Sequence, residues 1–320
     1  MNIIRSNTFD QYELDQNIIA IGSFDGIHKG HKKILDKTLK LAEKKGLKSG
    51  ILTFEPHPQE VVGGENSHYY INSKAQKRKI IKDMGFDYYF EMNFSQDLAQ
   101  TPFDDFIKKI IVNNLKTKHI VVGTDFTLGH KGDGNIKKLK RLGKKYEFEV
   151  TAVDPKKIGE HKISSSIIRD LIKAGRLDEL KEHLGQNFRI EGKVVEGFGR
   201  GRKLGIPTAN IKPSTNYVLP PDGVYAVYFY FNDNKYKGVV NFGHKPTFND
   251  ENFTIEVHLP NFEGDLYEEY VEIELVEFIR GEKEFDDVDK LVETINKDIL
   301  YMEEVLWYNF SCELIPYTRE

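Results

Sequence analysis

The sequence has almost no cysteine and no long apolar run, and these absences exclude several classes of protein. Cys312 is the single cysteine among 320 residues, so neither an internal disulfide framework nor a zinc site built on several cysteines can form. No apolar stretch approaches the length of a membrane span, and the N-terminal residues lack the apolar core of a signal peptide. We therefore expect a cytoplasmic protein without a membrane partner.

An excess of charge of one sign is also missing. The chain has 46 Lys and Arg residues against 50 Asp and Glu residues, a formal net charge of −4. Basic runs such as 137–141 stand among acidic neighbours, which is typical of a solvated helix face rather than a surface that binds nucleic acid. With 39% hydrophobic residues, a chain of this length predicts two globular domains and no nucleic-acid partner.

Strand-like and helix-like segments alternate in the first half of the chain. Short apolar runs predict strands, and the amphipathic segments between them predict helices. The predicted strands are Asn17–Gly22, Lys48–Phe54, Tyr88–Met92, His119–Gly123 and Glu147–Val153, and the predicted helices are Lys32–Lys45, Lys74–Met84 and Phe103–Leu115. This alternation predicts an α/β domain with a doubly wound parallel sheet, whose ligands bind beyond the carboxyl ends of the strands.

The second half changes to closely spaced strand-like segments. Two short helical patterns between Ser164 and Leu184 precede them, and Asn232–Asn234 is typical of a hairpin turn. The predicted strands are Arg189–Val195, Val224–Phe231, Tyr236–Asn241, Phe253–Leu259 and Tyr270–Phe278, followed by a helix at Val288–Leu306. The pattern predicts a small antiparallel β-barrel with a C-terminal helix. We place the boundary between the two domains at residues 185 and 186.

A glycine-rich turn that carries two histidines follows the first strand. In the segment Gly22–His31, the glycines let backbone N–H groups approach a ligand at the positive end of the next helix. His28 and His31 are three residues apart and share a helix face. Two imidazoles at a helix N-terminus suit a triphosphate and can stabilise charge during nucleotidyl transfer. Two surface histidines beside a turn are the alternative, and the surrounding motif favours the functional interpretation.

Three further stretches in the first half carry candidate residues. They are Phe54, His57 and Pro58 in the first stretch, Asp125 and Phe126 in the second, and Ser165, Ser166 and Arg169 in the third. Serine at a helix start caps backbone N–H groups, and an arginine one turn later is suited to phosphate oxygens. Each stretch alone also fits a bland interpretation, with the aromatic residues in the core and the arginine on the surface of a capped helix.

A second glycine-rich and basic segment, Gly192–Asn210, opens the C-terminal half. Its glycines and cations suit a loop around ATP phosphates, although the spacing fits neither a Walker loop nor the protein-kinase glycine loop. Pro207 fixes the backbone so that Thr208 and Asn210 project together, and their hard oxygens suit Mg²⁺. The candidate ATP ligands are Gly197, Arg202, Lys203, Gly205, Pro207, Thr208 and Asn210. A basic hairpin with a turn-forming proline is the alternative.

These motifs resemble those of the prokaryotic bifunctional riboflavin kinase/FAD synthetase family over residues 17–298, nearly the whole chain. The resemblance implies an FMN adenylyltransferase domain at residues 1–185 and a riboflavin kinase domain at residues 186–320. The implied enzyme phosphorylates riboflavin with ATP to give FMN. It then transfers the adenylyl group of a second ATP to FMN, which gives FAD and pyrophosphate. Both steps are expected to need Mg²⁺.

The resemblance also implies roles for single residues. In adenylyl transfer, His28, His31 and Arg169 are catalytic, and the other ATP ligands are Gly22, Ser23, Phe24, Asp25, Gly26, Ser165 and Ser166. The implied flavin ligands are Phe54, His57, Pro58, Asp125, Phe126 and Arg280. In the kinase half, Glu256 takes the proton of the riboflavin 5′-hydroxyl, and Thr208 and Asn210 hold Mg²⁺. A solvent-facing strand glutamate is the alternative for Glu256. Leu128 stands where the family usually has an aromatic residue, and Ser166 where it usually has threonine.

Three other functions fit parts of the sequence. They are an enzyme with only one active half, a flavin-sensing protein without turnover, and a nucleotidyltransferase for another phosphorylated acceptor. The intact residues His28, His31, Thr208, Asn210 and Glu256 argue against the first two. The kinase-like half argues against the third.

Overall fold

The computed structural model describes residues 1–63, 68–197, 205–247 and 250–313, of which 244–247, 250–252 and 308–313 are described by their backbone alone. The chain divides into two compact units, Met1–Ser165 and Ser166–Glu320. The first contains the alternating half of the sequence, and the second contains the β-rich half. None of the helices in these described parts combines the length and apolarity that crossing a bilayer requires.

The first unit is built on a parallel sheet of six strands. The strands of the whole unit are β1 (Asn2–Ser6), β2 (Asn17–Ile21), β3 (Lys48–Glu55), β4 (Tyr88–Asn93), β5 (Thr117–Gly123), β6 (Thr127–Leu128), β7 (Gly134–Asn135), β8 (Glu149–Val153), β9 (Lys157–Ile158) and β10 (His161–Lys162). The sheet order is β1-β4-β3-β2-β5-β8, and β6–β7 and β9–β10 form two-stranded sheets. Every residue of β2 is buried, because a central parallel strand is covered on both faces. This explains its continuous apolar run.

Helices connect the strands of this sheet. They are α1 (Lys29–Lys45), α2 (Pro58–Gly63), α3 (Lys74–Asp83), α4 (Gln96–Gln100), α5 (Phe103–Phe106) and α6 (Ile136–Tyr146). A π-helical segment, Ile107–Asn114, continues α5, and a single 3₁₀ turn lies at His130–Gly132. Helix α1 begins after His28 and ends at Gly46, whose left-handed backbone (φ 62°) stops the helix where the sequence predicts.

The second unit is a closed antiparallel barrel preceded by two helices, the first of which starts at Ser165, the last residue of the first unit. Its elements are α7 (Ser165–Lys173), α8 (Leu177–Leu184), β11 (Arg189–Val195), β12 (Thr208–Pro213), β13 (Gly223–Phe231), β14 (Asn234–Thr247), β15 (Asp250–His258), β16 (Tyr270–Arg280) and α9 (Val288–Glu313). The strand order is β11-β12-β15-β14-β13-β16. The predicted hairpin turn joins β13 to β14, with positive φ angles at Asn232 and Asp233.

Helix α9 covers part of the outer face of the barrel. Met302 and Leu306 pack against an apolar patch that includes Val224 and Val239, and the Tyr228 hydroxyl donates to the Leu306 carbonyl at 3.1 Å. The apolar residues of α9 are therefore used to cover the barrel. The predicted fold class, a doubly wound α/β sheet followed by a small antiparallel barrel with a C-terminal helix, is confirmed.

Six described strands were not predicted from the sequence: the two-residue strands β6, β7, β9 and β10, and the longer strands β1 and β12. Strand β12 has the sequence Thr-Ala-Asn-Ile-Lys-Pro, which lacks the alternating apolar pattern of a half-buried strand. Its conformation is set by pairing with β11 on one side and β15 on the other. Local sequence carries little information about pairing of this kind.

Candidate active sites

A cavity of about 340 Å³ lies in the first unit, at the carboxyl ends of β2, β5 and β8. The chain leaves β2 toward β3 on one side, whereas β5 lies on the other side. Such a reversal of strand order opens a crevice above the sheet, where open α/β sheets bind their ligands. The predicted nucleotide residues that line it are Gly22, Ser23, Phe24, His28, His31 and Ser165. We call it the nucleotide cavity.

The two predicted histidines form a stacked pair in this cavity. His28 is the N-cap of α1, and its Nδ1 accepts the backbone N–H of His31 at 3.2 Å. The ring centroids are 3.7 Å apart with an interplanar angle of 13°. The Nδ1 atom of His31 is buried and has no hydrogen-bond partner among the described residues. Because a buried polar atom without a partner is costly, this nitrogen indicates a ligand-binding position.

Burial of the His31 ring, together with the neighbouring positive charge of a protonated His28, lowers the pKa of His31 well below that of an ordinary histidine. Asp25 opposes this shift, and Lys77 and Lys162 add to it. His31 is therefore a neutral hydrogen-bonding group near neutral pH before a nucleotide binds.

We expect the free energy of unfolding to decrease as the pH falls from about 7 to about 5. The folded state holds His31 neutral, while the unfolded chain takes up this proton near pH 6.5, so acid favours unfolding. The stabilisation that the folded state gains by keeping His31 neutral is fully present above pH 6.5 and is lost as the pH falls below that value. Thermal unfolding of the wild type and of His31→Gln at several pH values measures how much of the pH dependence of stability comes from His31. The variant should show a shallower slope, and His119, whose pKa burial also lowers, leaves a residual slope in both proteins. Equal slopes would contradict the assignment.

Lys162, on β10, supplies a fixed positive charge to the nucleotide cavity. Of the described residues that line this cavity, it is the only lysine or arginine. Its ammonium group forms an ion pair with Asp125, which also lines the cavity. Burial opposes ionisation of Asp125, but the hydrogen bond and charge of Lys162 outweigh it and lower the pKa of this carboxyl. The cavity thus contains one permanent cation beside two imidazoles.

A larger and mostly apolar cavity, of about 620 Å³, adjoins the nucleotide cavity. The predicted flavin residues that line it are Phe54, His57, Pro58 and Phe126. The two cavities share the wall residues Ile21, Gly22, Ser23, Phe126 and Thr127. A flat apolar ligand in one cavity can therefore present a polar end to a ligand in the other. We call the larger space the flavin cavity.

The third cavity, of about 160 Å³, lies in the barrel unit beside β12. Four predicted ATP ligands line it, and they are Gly197, Pro207, Thr208 and Asn210. Thr208 and Asn210 are two residues apart on a strand, so both side chains lie on the same face. The Nδ1 atom of His258 lies 2.8 Å from the Pro207 carbonyl, next to Thr208. We call this space the barrel cavity.

Glu256 lies directly opposite Asn210 across two paired strands. The register pairs Asn210 of β12 with Glu256 of β15, and Glu256 with Asn241 of β14. Directly opposed residues of antiparallel strands project to the same face about 5 Å apart. The flanking residues Ile255 and Val257 are buried on the opposite face. Glu256 is therefore on the strand face that carries Thr208 and Asn210. Unlike Val257, however, it is not among the described residues that line the barrel cavity, so its catalytic role stays a prediction.

Comparisons with known proteins match each unit to a family. The family described as FAD synthetase matches residues 10–167, and the family described as riboflavin kinase matches residues 184–306. The bifunctional riboflavin kinase/FMN adenylyltransferase of Listeria monocytogenes is 33% identical, over 91% of this chain and 93% of its own length. The protein of the same name from Bacillus subtilis is 36% identical, over 89% and 91%. The chain belongs to this bifunctional family.

The family predicted from the motifs is thereby confirmed, and so is an enzyme with kinase and adenylyltransferase domains in the predicted order. A solved structure from Streptococcus pneumoniae, described as a macrolide-efflux protein, is 30% identical with a TM-score of 0.86. The match covers 94% of this chain and 98% of that chain. It supports the order of an α/β unit and a barrel along the chain, and its description concerns that protein alone.

Several predicted family residues lie away from the cavities. The Asp25 carboxylate accepts the backbone N–H groups of Ile71 (3.0 Å) and Asn72 (3.4 Å) and does not line the nucleotide cavity. Gly26 has a φ of 89°, and a Cβ there would lie 3.1 Å from Ile71. Asp25 and Gly26 therefore hold the glycine-rich turn through their contacts with residues 71 and 72, on the side away from the cavity.

Ser165 connects the start of α7 to the glycine-rich turn. Its hydroxyl donates to the Asp25 carbonyl at 3.0 Å, so it ties the start of α7 to the turn as well as lining the cavity. Ser166 and Arg169 follow on α7 and belong to the second compact unit. Arg202 and Lys203 lie outside the described residues. Their ligand roles stay predictions.

Arg280, predicted to bind the flavin, has a different partner in the structure. Its guanidinium group donates to both carboxylate oxygens of Asp298 on α9, at distances of 2.8 to 3.0 Å. Asp298 is buried, so this bidentate ion pair fastens α9 to the end of β16. Arg280 is not among the residues that line the barrel cavity. Gly205, with a φ of 75°, also lies outside its lining and serves the turn before Pro207.

Some cavity residues of this family member were missed by the sequence analysis. In the nucleotide cavity these are Lys162 and Asp154, and in the barrel cavity Phe262, Leu266 and Tyr267. Asp154 directly follows β8, so the rule that ligands bind beyond the carboxyl ends of strands would have found it. Lys162 stands two residues before the serine run, where a cation beside a phosphate motif was a usable signal. No local pattern marks the aromatic residues of the barrel cavity.

The residues beside the barrel cavity fit the predicted magnesium ion. No cluster of three or more His, Cys, Asp or Glu side chains suited to a metal occurs in the described parts of the chain. Mg²⁺ in nucleotide sites needs few protein ligands, because it keeps several waters and shares phosphate oxygens. The Thr208 hydroxyl and the Asn210 amide oxygen, on one face of β12, match this requirement.

Gly197 is expected to be essential for the position of the Asn210 amide. A Cβ at Gly197 would overlap the Asn210 side-chain nitrogen, so Gly197→Ala must displace this side chain. We expect riboflavin phosphorylation to fall about 100-fold, since a shift of about 1 Å in a positioning group can have that effect. Initial rates of FMN formation measure the loss. Gly281→Ala, where a Cβ meets nothing within 4 Å, is the matched control. Equal activity of both variants would show that the close approach of Gly197 to the Asn210 side chain does not affect riboflavin phosphorylation.

Proposed function

We propose that the nucleotide and flavin cavities together form the FMN adenylyltransferase site, and that the barrel cavity with Glu256 forms the riboflavin kinase site. The observation that carries the first assignment is the wall that the two cavities share at Ile21, Gly22 and Ser23. It lets the phosphate end of a bound flavin meet the triphosphate of ATP. Family membership gives the two reactions, and the geometry supports their locations.

In adenylyl transfer, a phosphate oxygen of FMN attacks the α-phosphorus of ATP, and pyrophosphate leaves. This nucleophile is already anionic, so the site needs no general base. His28 and His31 stabilise the charge that develops on the transferred phosphorus and the leaving group. Lys162 and the N-terminus of α1 add positive potential to the same cavity. Ser165, Ser166 and Arg169 are the further phosphate ligands of this proposal.

The apolar wall of the flavin cavity suits an isoalloxazine ring. Phe54 and Phe126 supply aromatic surface, and Leu128 lines the same space at the position where relatives usually have an aromatic residue. An aliphatic side chain there still buries apolar ring surface. The flavin cavity therefore accommodates the departure from the family pattern.

In riboflavin phosphorylation, the 5′-hydroxyl attacks the γ-phosphorus of ATP, and ADP leaves. A neutral hydroxyl must lose its proton, and we assign its acceptance to the Glu256 carboxylate, which is paired with Asn210 across the strands. Thr208 and Asn210 would hold Mg²⁺, which supplies charge neutralisation to the ATP phosphates when bound. Gly197, Arg202, Lys203, Gly205 and Pro207 belong to the segment proposed to enclose the phosphates.

We assign residues 1–185 to the adenylyltransferase domain and residues 186–320 to the kinase domain. Strand β11, the first of the barrel, begins at Arg189, and this supports a boundary just before it. Helices α7 and α8 group with the barrel in the compact unit that begins at Ser166. In our assignment these two helices are instead the last part of the first domain, the segment that leads to the barrel. ATP as co-substrate, riboflavin and FMN as substrates and a cytoplasmic location complete the proposal.

One assay tests the proposed function. Purified protein is incubated with Mg-ATP and either riboflavin or FMN, and the products are separated by chromatography. FAD from both substrates is the expected result. FMN that accumulates without FAD would indicate an inactive first unit, and binding without product would indicate a sensor.

A further inference from the structure

His68 is a buried residue that contacts both substrate-binding segments of the first unit. Its side chain is 4% exposed. The ring stacks on His57, with centroids 3.7 Å apart and an interplanar angle of 2°. Its Nε2 atom lies 3.5 Å from Oδ2 of Asp25, and its Nδ1 atom lies 3.0 Å from Oε1 of Gln59. The ring is thus fixed both on its face and at its edge.

The edge contact leads to the nucleotide cavity through Asp25. Asp25 is 1% exposed, and its carboxylate also accepts the Ile71 N–H group at 3.0 Å. It belongs to the turn that carries Ser23, Phe24 and His28 into the nucleotide cavity. Because a buried carboxylate needs all its partners, removal of the His68 nitrogen is expected to loosen this turn.

The face contact leads to the flavin cavity through His57. His57 lines that cavity, and its Nδ1 atom accepts the Gln59 N–H group at 3.2 Å. Its own backbone N–H group donates to the Tyr70 hydroxyl at 3.2 Å. The stacked ring of His68 covers one face of the His57 imidazole. Loss of that ring would let the His57 side chain turn within its pocket.

We propose that His68 is a positioning residue for adenylyl transfer, which holds His57 of the flavin cavity and Asp25 of the nucleotide turn in a fixed relation. The inference rests on the proposed function of these two cavities. It adds a residue that lines neither cavity and that no motif of the sequence contains. The two contacts use different parts of one ring, so different substitutions can separate them.

Two substitutions separate the face of the ring from its edge. His68→Phe keeps an aromatic face for His57 and removes the nitrogen beside Asp25. We expect it to raise KM for ATP about tenfold and to leave KM for FMN within about twofold of wild type. His68→Gln keeps a polar group near Asp25 and removes the ring. It is expected to raise KM for FMN about tenfold and to leave KM for ATP within about twofold.

Initial rates of FAD formation by the full-length protein, with FMN and ATP varied in turn, give both constants. Tyr69→Phe is the matched control, because Tyr69 is adjacent in sequence and 52% exposed, and its constants should not change. Riboflavin phosphorylation by the same preparations reports whether the rest of the chain is intact. A wild type that makes no FAD would refute the proposed function itself, independently of His68.

Equal changes of both constants in both variants would overturn the proposal, because a residue that merely supports the fold has no reason to separate them. Unchanged constants in both variants would overturn it as well. If either variant does not fold, Gln59→Leu replaces it. Gln59 is exposed, and its side-chain oxygen contacts the Nδ1 atom of the His68 ring. A rise of about twofold to threefold in KM for FMN supports the proposal, and no rise overturns it.

Discussion

Replacing His31 by alanine is expected to lower the rate of FAD formation from FMN by about 100- to 1,000-fold. The His31 ring stacks on His28 and has a buried nitrogen without a partner among the described residues. A group placed this way can bind transition-state charge without reorganising, and its removal loses that stabilisation. Phosphorylation of riboflavin should stay within about twofold of wild type, because Glu256 and the barrel cavity belong to the other unit.

Chromatographic rates of FAD and FMN formation by the same preparation measure both effects. His161→Ala is the matched control, since His161 is an exposed histidine of the first unit that lines neither of its cavities. It should retain both activities. Loss of both activities in a folded His31→Ala protein would show that the two sites are not separate. Full retention of FAD formation would show that the imidazole pair has no role in adenylyl transfer.

Replacing Glu256 by glutamine is expected to have the opposite selectivity. FMN formation from riboflavin should fall by about 100- to 10,000-fold, because glutamine cannot accept the proton of the 5′-hydroxyl. The amide keeps the size of the carboxylate and its place opposite Asn210, so the barrel should remain folded. With FMN supplied, FAD formation should be unchanged.

The control for this substitution is another half-buried glutamate of the barrel. Glu277 lies on β16, and burial followed by the nearby charge of Asp178 raises the pKa of its carboxyl. Glu277→Gln therefore removes a charge from a similar half-buried position that is paired with Ala226 rather than with Asn210, and kinase activity should be retained. Equal loss in both variants would mean that charge within the barrel, rather than a base at Glu256, determines the rate.

The parts of the fold that the sequence predicted are those that local physics specifies. Strand β2 is a continuous apolar run, and α1 ends at Gly46, which adopts a left-handed conformation. The two histidines are close because they lie three residues apart at a helix start. Such features depend on neighbours along the chain, so a single sequence contains them.

The remaining features depend on contacts between distant segments. Strand β12 is specified by pairing with β15, and that register places Asn210 beside Glu256. Arg280 illustrates the limit of motif transfer, since the sequence does not show that Asp298 on the last helix is close enough to bind it. His68 lies in no motif, and its proposed positioning role rests on contacts with His57 and Asp25 that only the folded chain shows.

The wall shared by the nucleotide and flavin cavities has a consequence for the end of the reaction. On the proposed assignment, FAD has its ring system in one cavity and its adenosine in the other, joined by a single covalent bridge. A molecule anchored at two places rebinds with its second end whenever only one end detaches. The product therefore leaves only when both ends are free at the same time. A synthetic compound that links a flat apolar ring to an adenosine group would bind in both cavities at once, and we expect it to inhibit the enzyme for the same reason.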